Sequence, residues 1–339
     1  MLFHLTDSLI GYTPEQAEKV RAGVTNLLIG YFEGKNLLDI SDAFYNHFSQ
    51  TLTDDKALRS LRHLHSYTAY DYNVNKSFKV ILSGNCEKDE LLIDYFYNTT
   101  SIQPPLIIGE NRNDILFYAL VTCIVRHVSQ EYLSYEIISG GGYSTATELK
   151  DKQEKELLAL CIVDSDVKYP GADEGGTFGA VKSVHDSKSK YVTLVGITVH
   201  EIENLLPPQF IADYTKDEGK AFVQKLIAKS KEEYLRWYDV KNGISLVDIV
   251  DTRYNDYAKI IYEQLYSNRF GAYEKYVASC RRKKRKIFPK LKEGLVKTFL
   301  GLTDAKRATY GIHFKKEWKD IANNFYDYAC SRECDPINV

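Results

Sequence analysis

The sequence predicts an α/β protein: a mostly parallel sheet in the central third of the chain, with helical regions on either side. Three observations lead there. Short apolar runs alternate with helix-patterned segments between residues 101 and 215, and one of those runs, LLALCIV, is apolar without a break. Pro104-Pro105 and Pro207-Pro208 interrupt the pattern at the two edges of this region. The organisation is therefore a helical N-terminal region over 1–100, an α/β domain over 101–215 and a helical C-terminal region over 216–339.

In the first region, Thr13-Pro14 followed by Gln16 is a helix start, with Thr13 placed to cap, Pro14 in the first turn and Gln16 able to close a capping box. Val20, Val24, Leu27, Leu28 and Tyr31 then recur at helical spacing and give one apolar face. Further helices are expected near 38–50 and 55–68, and NVNKSFKVILSG reads equally as strand or helix. His63 and His65 lie two apart in a helical pattern, on different faces, and suit packing or surface roles rather than a shared ligand.

In the central region PLIIG, SYEIIS, LLALCIV and KYVTLVGIT read as strands, and NDILFYALVTCIVRHV and YSTATELKDKQEKE as helices. An unbroken apolar strand such as LLALCIV is covered on both faces, as in a parallel sheet. Beyond Pro208, helices are expected over 216–238, near 247–277 and 291–300, and from 315 to 330.

At 339 residues, 44% hydrophobic and 27% charged, the composition is that of a globular protein of two or three compact units. A net charge of −2 gives no whole-molecule attraction to nucleic acid, so a polyanion site must be local. No apolar run reaches the ~18 residues of a membrane span. The opening MLFHLTDSLIGY carries Asp7 and no basic stretch, so a cytoplasmic protein is expected. Of six cysteines, Cys123 and Cys161 sit in apolar surroundings as reduced thiols. Cys330 and Cys334 form the one close pair, and without a second Cys or His pair nearby they suit a frayed tail better than zinc.

The strongest chemical signal is CIVDSDVKYPG. A buried strand running into Asp164-Ser165-Asp166 delivers two carboxylates to the strand's carboxyl end, where parallel α/β sheets bind ligands. One residue apart in extended chain, their side chains point the same way, and their mutual repulsion is relieved by a hard divalent cation. Glu110, in LIIGENRNDILFYAL, likewise follows a short strand. It lies 164 − 110 = 54 residues upstream of Asp164, two crossover units away, so the two strands can be near neighbours. A carboxylate at a helix N-terminus explains Asp114 better than it explains Glu110. Glu201 and Glu203, in VGITVHEIENLLPP, follow the last strand, and Glu203 is the preferred further metal ligand. His200 is a neighbour rather than a ligand in what is otherwise hard-oxygen chemistry.

These segments together resemble the Toprim domain: glutamate after the first strand, a glycine turn (Gly140-Gly141-Gly142) after the second, D-x-D after the third and I-E-N-L-L-P after the fourth. The version is similar to that of OLD-family nucleases and of Toprim effectors in anti-phage defence, including retron-linked ones. The resemblance covers about a third of the chain. It implies that Glu110 matches the first acidic residue of the family, Asp164 and Asp166 its D-x-D and Glu203 the later glutamate. Asn111 stands where the family's E-G-x-x-D has glycine, which bears on backbone approach at that turn and not on the carboxylate.

The implied activity is a magnesium- or manganese-dependent nuclease cleaving DNA, RNA or transfer RNA, acting as a toxic effector and regulated by an ATPase or another defence-system protein. Asp164 and Asp166 would be primary ligands and Glu110 a ligand or general base, between which the sequence does not choose. No motif ties any of the 26 tyrosines to the site, so a topoisomerase-style covalent step has no support. GGTFGAVKS, in the polar loop 168–190, does not satisfy the phosphate-loop pattern, although Lys182 could touch a substrate phosphate. The basic run Arg281, Arg282, Lys283, Lys284, Arg285 and Lys286, followed by Lys290 and Lys292, is self-repelling without a partner and suits sequence-independent contact with nucleic acid.

Two alternatives use the same residues. A haloacid-dehalogenase-type phosphatase would make Asp164 a nucleophile and Asp166 the general acid/base, with Asp248 and Asp251 as the later acidic pair. A partner-regulated Toprim scaffold would need no chemistry at all.

Overall fold

A computed structural model of the chain describes residues 1–66, 74–84, 86–266 and 268–331. It contains two four-stranded, all-parallel sheets and many helices, so the α/β class holds. Residues 1–162, 184–195 and those from Lys319 onward form one compact unit, and residues 163–183 and 196–318 form another.

In the first unit β1 (Leu2–Leu5), β2 (Leu37–Ile40), β3 (Phe78–Ile81) and β4 (Glu90–Leu92) lie in the order β2-β1-β3-β4. Helices α1 (Ala17–Phe32), α2 (Asp42–Thr51) and α3 (Asp55–Ser66) fall between these strands. The stripe predicted on α1 is the stripe that is buried: Val20, Val24, Leu27, Leu28 and Tyr31. The sheet corrects the expectation of a mainly helical N-terminal region. Its strands are three or four residues long, and runs such as LFHL and LLDI are too short for a period of two to show against helical neighbours. NVNKSFKVILSG resolves as a strand at its centre, β3.

The second sheet has the order β6-β5-β7-β8, with β5 (Leu106–Gly109), β6 (Glu136–Ser139), β7 (Ala159–Val163) and β8 (Val192–Gly196) all at predicted places. Helices α4 (Arg112–Arg126) and α5 (Ser144–Glu154) connect its first three strands. All five residues of β7 are buried, as a doubly covered strand requires. β5 pairs in register with β7, Leu106 against Ala159 and Ile108 against Cys161, so the 54-residue separation does bring the two strands side by side.

In the second unit the segment read as the loop 168–190 contains α6 (Gly176–Val184), a helix masked by its glycines. Then come α7 (Pro208–Tyr214), α8 (Asp217–Ala228), α9 (Thr252–Leu265), α10 (Ala272–Arg282), α11 (Leu295–Leu300), α12 (Asp304–Ala308) and α13 (Lys315–Ala329), whose last eleven residues belong to the first unit. No helix among the described residues is long and apolar enough to cross a membrane. Cys86, Cys123, Cys161, Cys280 and Cys330 are free thiols, with Cys161 buried and Cys123 only half-buried; Cys334 lies outside the described residues.

Candidate active site

Glu110 is the first unit's contribution to the predicted set. It is half-buried directly after β5, and its backbone carbonyl accepts the Gly141 N–H at 2.8 Å. Gly140 N–H bonds to the Gly109 carbonyl at 2.9 Å, so the glycine turn that ends β6 also pins the end of β5. Glycine is required there: a Cβ on Gly140 would fall 2.4 Å from Thr145 Cα, and Gly141 and Gly142 have φ of 72° and 59°. Asn111 caps α4 and shares a capping box with Asp114, each side chain accepting from the other's backbone N–H. Asn111 and Asp114 thus share a structural duty at the start of α4.

The other predicted carboxylates lie in the second unit. Asp164 and Ser165 are buried, and Asp166 is half-buried. The chain is not extended through Asp166 as the sequence suggested, because Asp166 takes a left-handed φ of 54°. Three contacts hold this turn. Ser165 Oγ donates to the Val199 carbonyl at 2.6 Å, Asp166 N–H donates to the His200 carbonyl at 2.9 Å, and Gly175 N–H donates to the Ser165 carbonyl at 2.8 Å. Gly175 must be glycine, since a Cβ there would fall 2.1 Å from Asp166 Cβ. Burial pushes the Asp166 carboxyl up, against the opposing charges of His200, Lys241 and Lys168.

Glu201 and Glu203 are each 5% exposed, in a short turn of 3₁₀ helix over Ile202–Leu205. One cation serves both. Lys241 Nζ lies 2.9 Å from Glu201 Oε2 and 3.2 Å from Glu203 Oε2, and its charge also interacts with Asp164 and Asp166. Burial raises the carboxyl pKa of both glutamates, and for Glu203 the neighbouring Glu201 adds to it. Burial alone would lower Lys241, but the two carboxylates outweigh it and hold the ammonium well above its ordinary value. The two glutamates and the lysine pull in opposite directions; a cation within 3.2 Å of two buried carboxylates decides in favour of a charged Lys241.

The rest of IENLLP is scaffold. Asn204 Oδ1 accepts Glu201 N–H at 2.7 Å, and its Nδ2 donates to the Leu235 and Tyr238 carbonyls, tying this turn to the segment that carries Lys241. Glu201 Oε1 accepts Val240 N–H at 2.9 Å. His200 is a neighbour, as expected. Burial pushes its imidazole pKa down against the pull of Asp239 and Asp166, and Nδ1 has no hydrogen-bond partner among the described residues. Lys241 and Asp239 were not singled out from sequence. The signal present was the turn DVKNG, in which Asp239 Oδ1 accepts Asn242 N–H at 2.6 Å and Gly243 has φ 66°.

Lys182 pairs with Glu174 at 2.8 Å, next to Gly175. Arg281 to Lys286 form the exposed end of α10 and the turn after it. In the first unit an Asp39–His4–Ser77 hydrogen-bonded row, 2.7 and 2.9 Å, crosses the first sheet with Asp39 exposed, a surface network that the sequence did not suggest.

Set against known protein families, curated proteins and solved structures, the chain matches none. Its chemistry must be argued from its own side chains. The carboxylates that interact with the Lys241 ammonium, Asp164, Asp166, Glu201 and Glu203, are hard-oxygen donors, the type a hard cation takes. As the side chains stand, no group of three or more His, Cys, Asp or Glu among the described residues is arranged to hold one. Glu203 in particular is committed to Lys241.

Proposed function

We propose that this chain is a metal-dependent phosphodiester hydrolase of Toprim type, a cytoplasmic nuclease acting on DNA or RNA as an effector of anti-phage defence. The observation that supports the reading is that Asp164 and Asp166 follow a fully buried strand and interact with the same cation, Lys241, that pairs with Glu201 and Glu203. A phosphodiester is an anion, and carboxylates approach it only with positive charge between them.

Asp164 and Asp166 would hold the ion, magnesium or manganese; Glu203 would join them only by giving up Lys241. When bound, the ion would neutralise the scissile phosphate and lower the pKa of an attacking water. Glu110 enters by strand order alone, as ligand or general base, because β5 is hydrogen-bonded to β7. The phosphatase alternative has less support. Asp251 caps α9, and Asp248 accepts from Ser245 N–H and Oγ in a turn that follows no strand.

The test is a panel of plasmid DNA, structured RNA, transfer RNA and a small phosphate ester, each with magnesium or manganese, with and without cell lysate to supply a regulatory ATPase or other partner. Glu110→Ala should abolish polymer cleavage, and Asp164→Asn should remove most manganese affinity in calorimetry with the fold intact by circular dichroism. Ester hydrolysis that survives Glu110→Ala, with no polymer cleavage by the wild type, would replace this reading with the phosphatase.

A further inference from the structure

A groove of about 790 Å³ in the second unit is lined by α8 and the residue before it (216–225), by Tyr266 at the end of α9, by Tyr276 on α10 and by the segment 285–291. Five cations line it: Lys216, Lys225, Arg285, Lys286 and Lys290. Among the described residues none of the five has a carboxylate within ion-pairing distance, although Asp217 and Glu218 also line the groove and reduce its excess charge to 5 − 2 = 3. Cations drawn into one concavity repel each other, and the arrangement is stabilised by an anionic occupant.

The groove is also aromatic. Tyr266, 44% exposed, and Tyr276 form part of its wall and stack on each other at 6.2 Å, with Tyr262 packed against both. Lys225 Nζ lies 3.9 Å from the centre of the Tyr266 ring, and the Arg285 guanidinium 5.6 Å from that of Tyr276. Each ring therefore has a cation over it, on a long side chain that an incoming base would displace toward its phosphate. Tyr276 is held in place from behind, its hydroxyl donating to the Ile287 carbonyl at 2.6 Å.

We propose that this groove binds single-stranded nucleic acid, with bases stacking on Tyr266 and Tyr276 and backbone phosphates on Lys225, Arg285, Lys286 and Lys290. The chemistry selects against the other polyanions. A duplex hides its base faces, and inorganic polyphosphate makes no use of the rings. The proposal deepens the phosphodiesterase reading by naming its substrate class, and in that respect rests on it. Arg285 and Lys286 belong to the basic run seen in the sequence; Lys216, Lys225 and the tyrosines reach the same groove only through the fold.

The experiment is fluorescence anisotropy with the full chain in chelator, so that binding is read without cleavage. Probes are a labelled oligothymidylate, a blunt duplex of equal charge and labelled polyphosphate. The expected result is single-strand binding at least tenfold tighter than either competitor, weakened about tenfold or more in Tyr266→Ala and restored in Tyr266→Phe. Lys225→Gln with Lys290→Gln, two side chains on the groove surface, should weaken all three probes and lower the salt dependence. Equal affinity for the three probes, or a Tyr266→Ala protein that is folded and binds as the wild type does, would overturn the proposal. Asp164→Asn separates it from the reading above: binding should survive that change whether or not cleavage exists.

Discussion

Lys241 holds Glu203 at 3.2 Å, and the same ammonium holds Glu201 at 2.9 Å. Two carboxylates, each 5% exposed, thus share one counter-charge in the segment that leads out of the last strand. Removing it leaves buried negative charge uncompensated, which costs more than the ion pair itself contributes. Lys241→Met should destabilise the protein by about 2–3 kcal/mol, a figure kept below the fully buried range because the Lys241 side chain is 42% exposed. Urea unfolding measures it. Added manganese should recover more stability in Lys241→Met than in the wild type, because the vacated carboxylates then favour a divalent ion; equal recovery in both would show that the cluster does not exchange its cation.

Gly175 should be as sensitive as a carboxylate. In Gly175→Ala the new Cβ meets Asp166 Cβ at 2.1 Å, and Asp166 already occupies a left-handed backbone conformation with little freedom to yield. The expected outcome is a drop of about 1–3 kcal/mol in stability, from steric overlap at a packed site, together with weaker manganese binding. Gly179→Ala, inside α6 where a Cβ meets nothing within 4 Å, is the control: it should leave manganese binding unchanged and raise stability by up to about 1 kcal/mol through helix propensity.

Lys76 gives the first unit a pH dependence of unusual sign. Its ammonium is held by Tyr328 Oη at 2.7 Å and Thr193 Oγ1 at 3.0 Å, and burial pushes its pKa down to about 8. Below pH 8 both the folded and the unfolded chain carry the proton. Between about 8 and the free-lysine value only the unfolded chain keeps it, so stability rises with pH across that window, by on the order of 3 kcal/mol if Lys76 acts alone. Unfolding free energies of wild type and Lys76→Met at pH 7.5 and 10 should show the rise in the wild type and its absence in the variant. A wild type that weakens across the window as much as the variant does would contradict the assignment.

Neutralising Arg281, Arg282, Lys283 and Lys284 should weaken binding of unrelated nucleic acid sequences by similar factors and flatten the salt dependence by about one unit for each phosphate no longer engaged. These four side chains are exposed at the end of α10 and touch no core, so stability should move by less than about 0.5 kcal/mol. Unchanged affinity and salt slope would make the run a solvated helix end.

What the sequence determined by itself was the second sheet and the chain positions of its carboxylates. Unbroken apolar runs ending in acidic residues are a local signal: β5 and β7 are short and flanked by turns, and their neighbours are long helices of clear period. The first sheet escaped because its strands, as short as β5, lack an unbroken apolar run: LFHL and LLDI are interrupted by His4 and Asp39, so neither a run nor a period of two registers. The tertiary structure alone decided which charges meet. Lys241 lies 241 − 203 = 38 residues beyond Glu203, and Gly175 lies in a segment that resembled a failed phosphate loop. Lys225 and Tyr266 come from different parts of the chain to share one groove. Hydrophobic periodicity is written along a chain, whereas the field around a buried carboxylate depends on distance through space, and folding sets that distance without regard to separation in sequence.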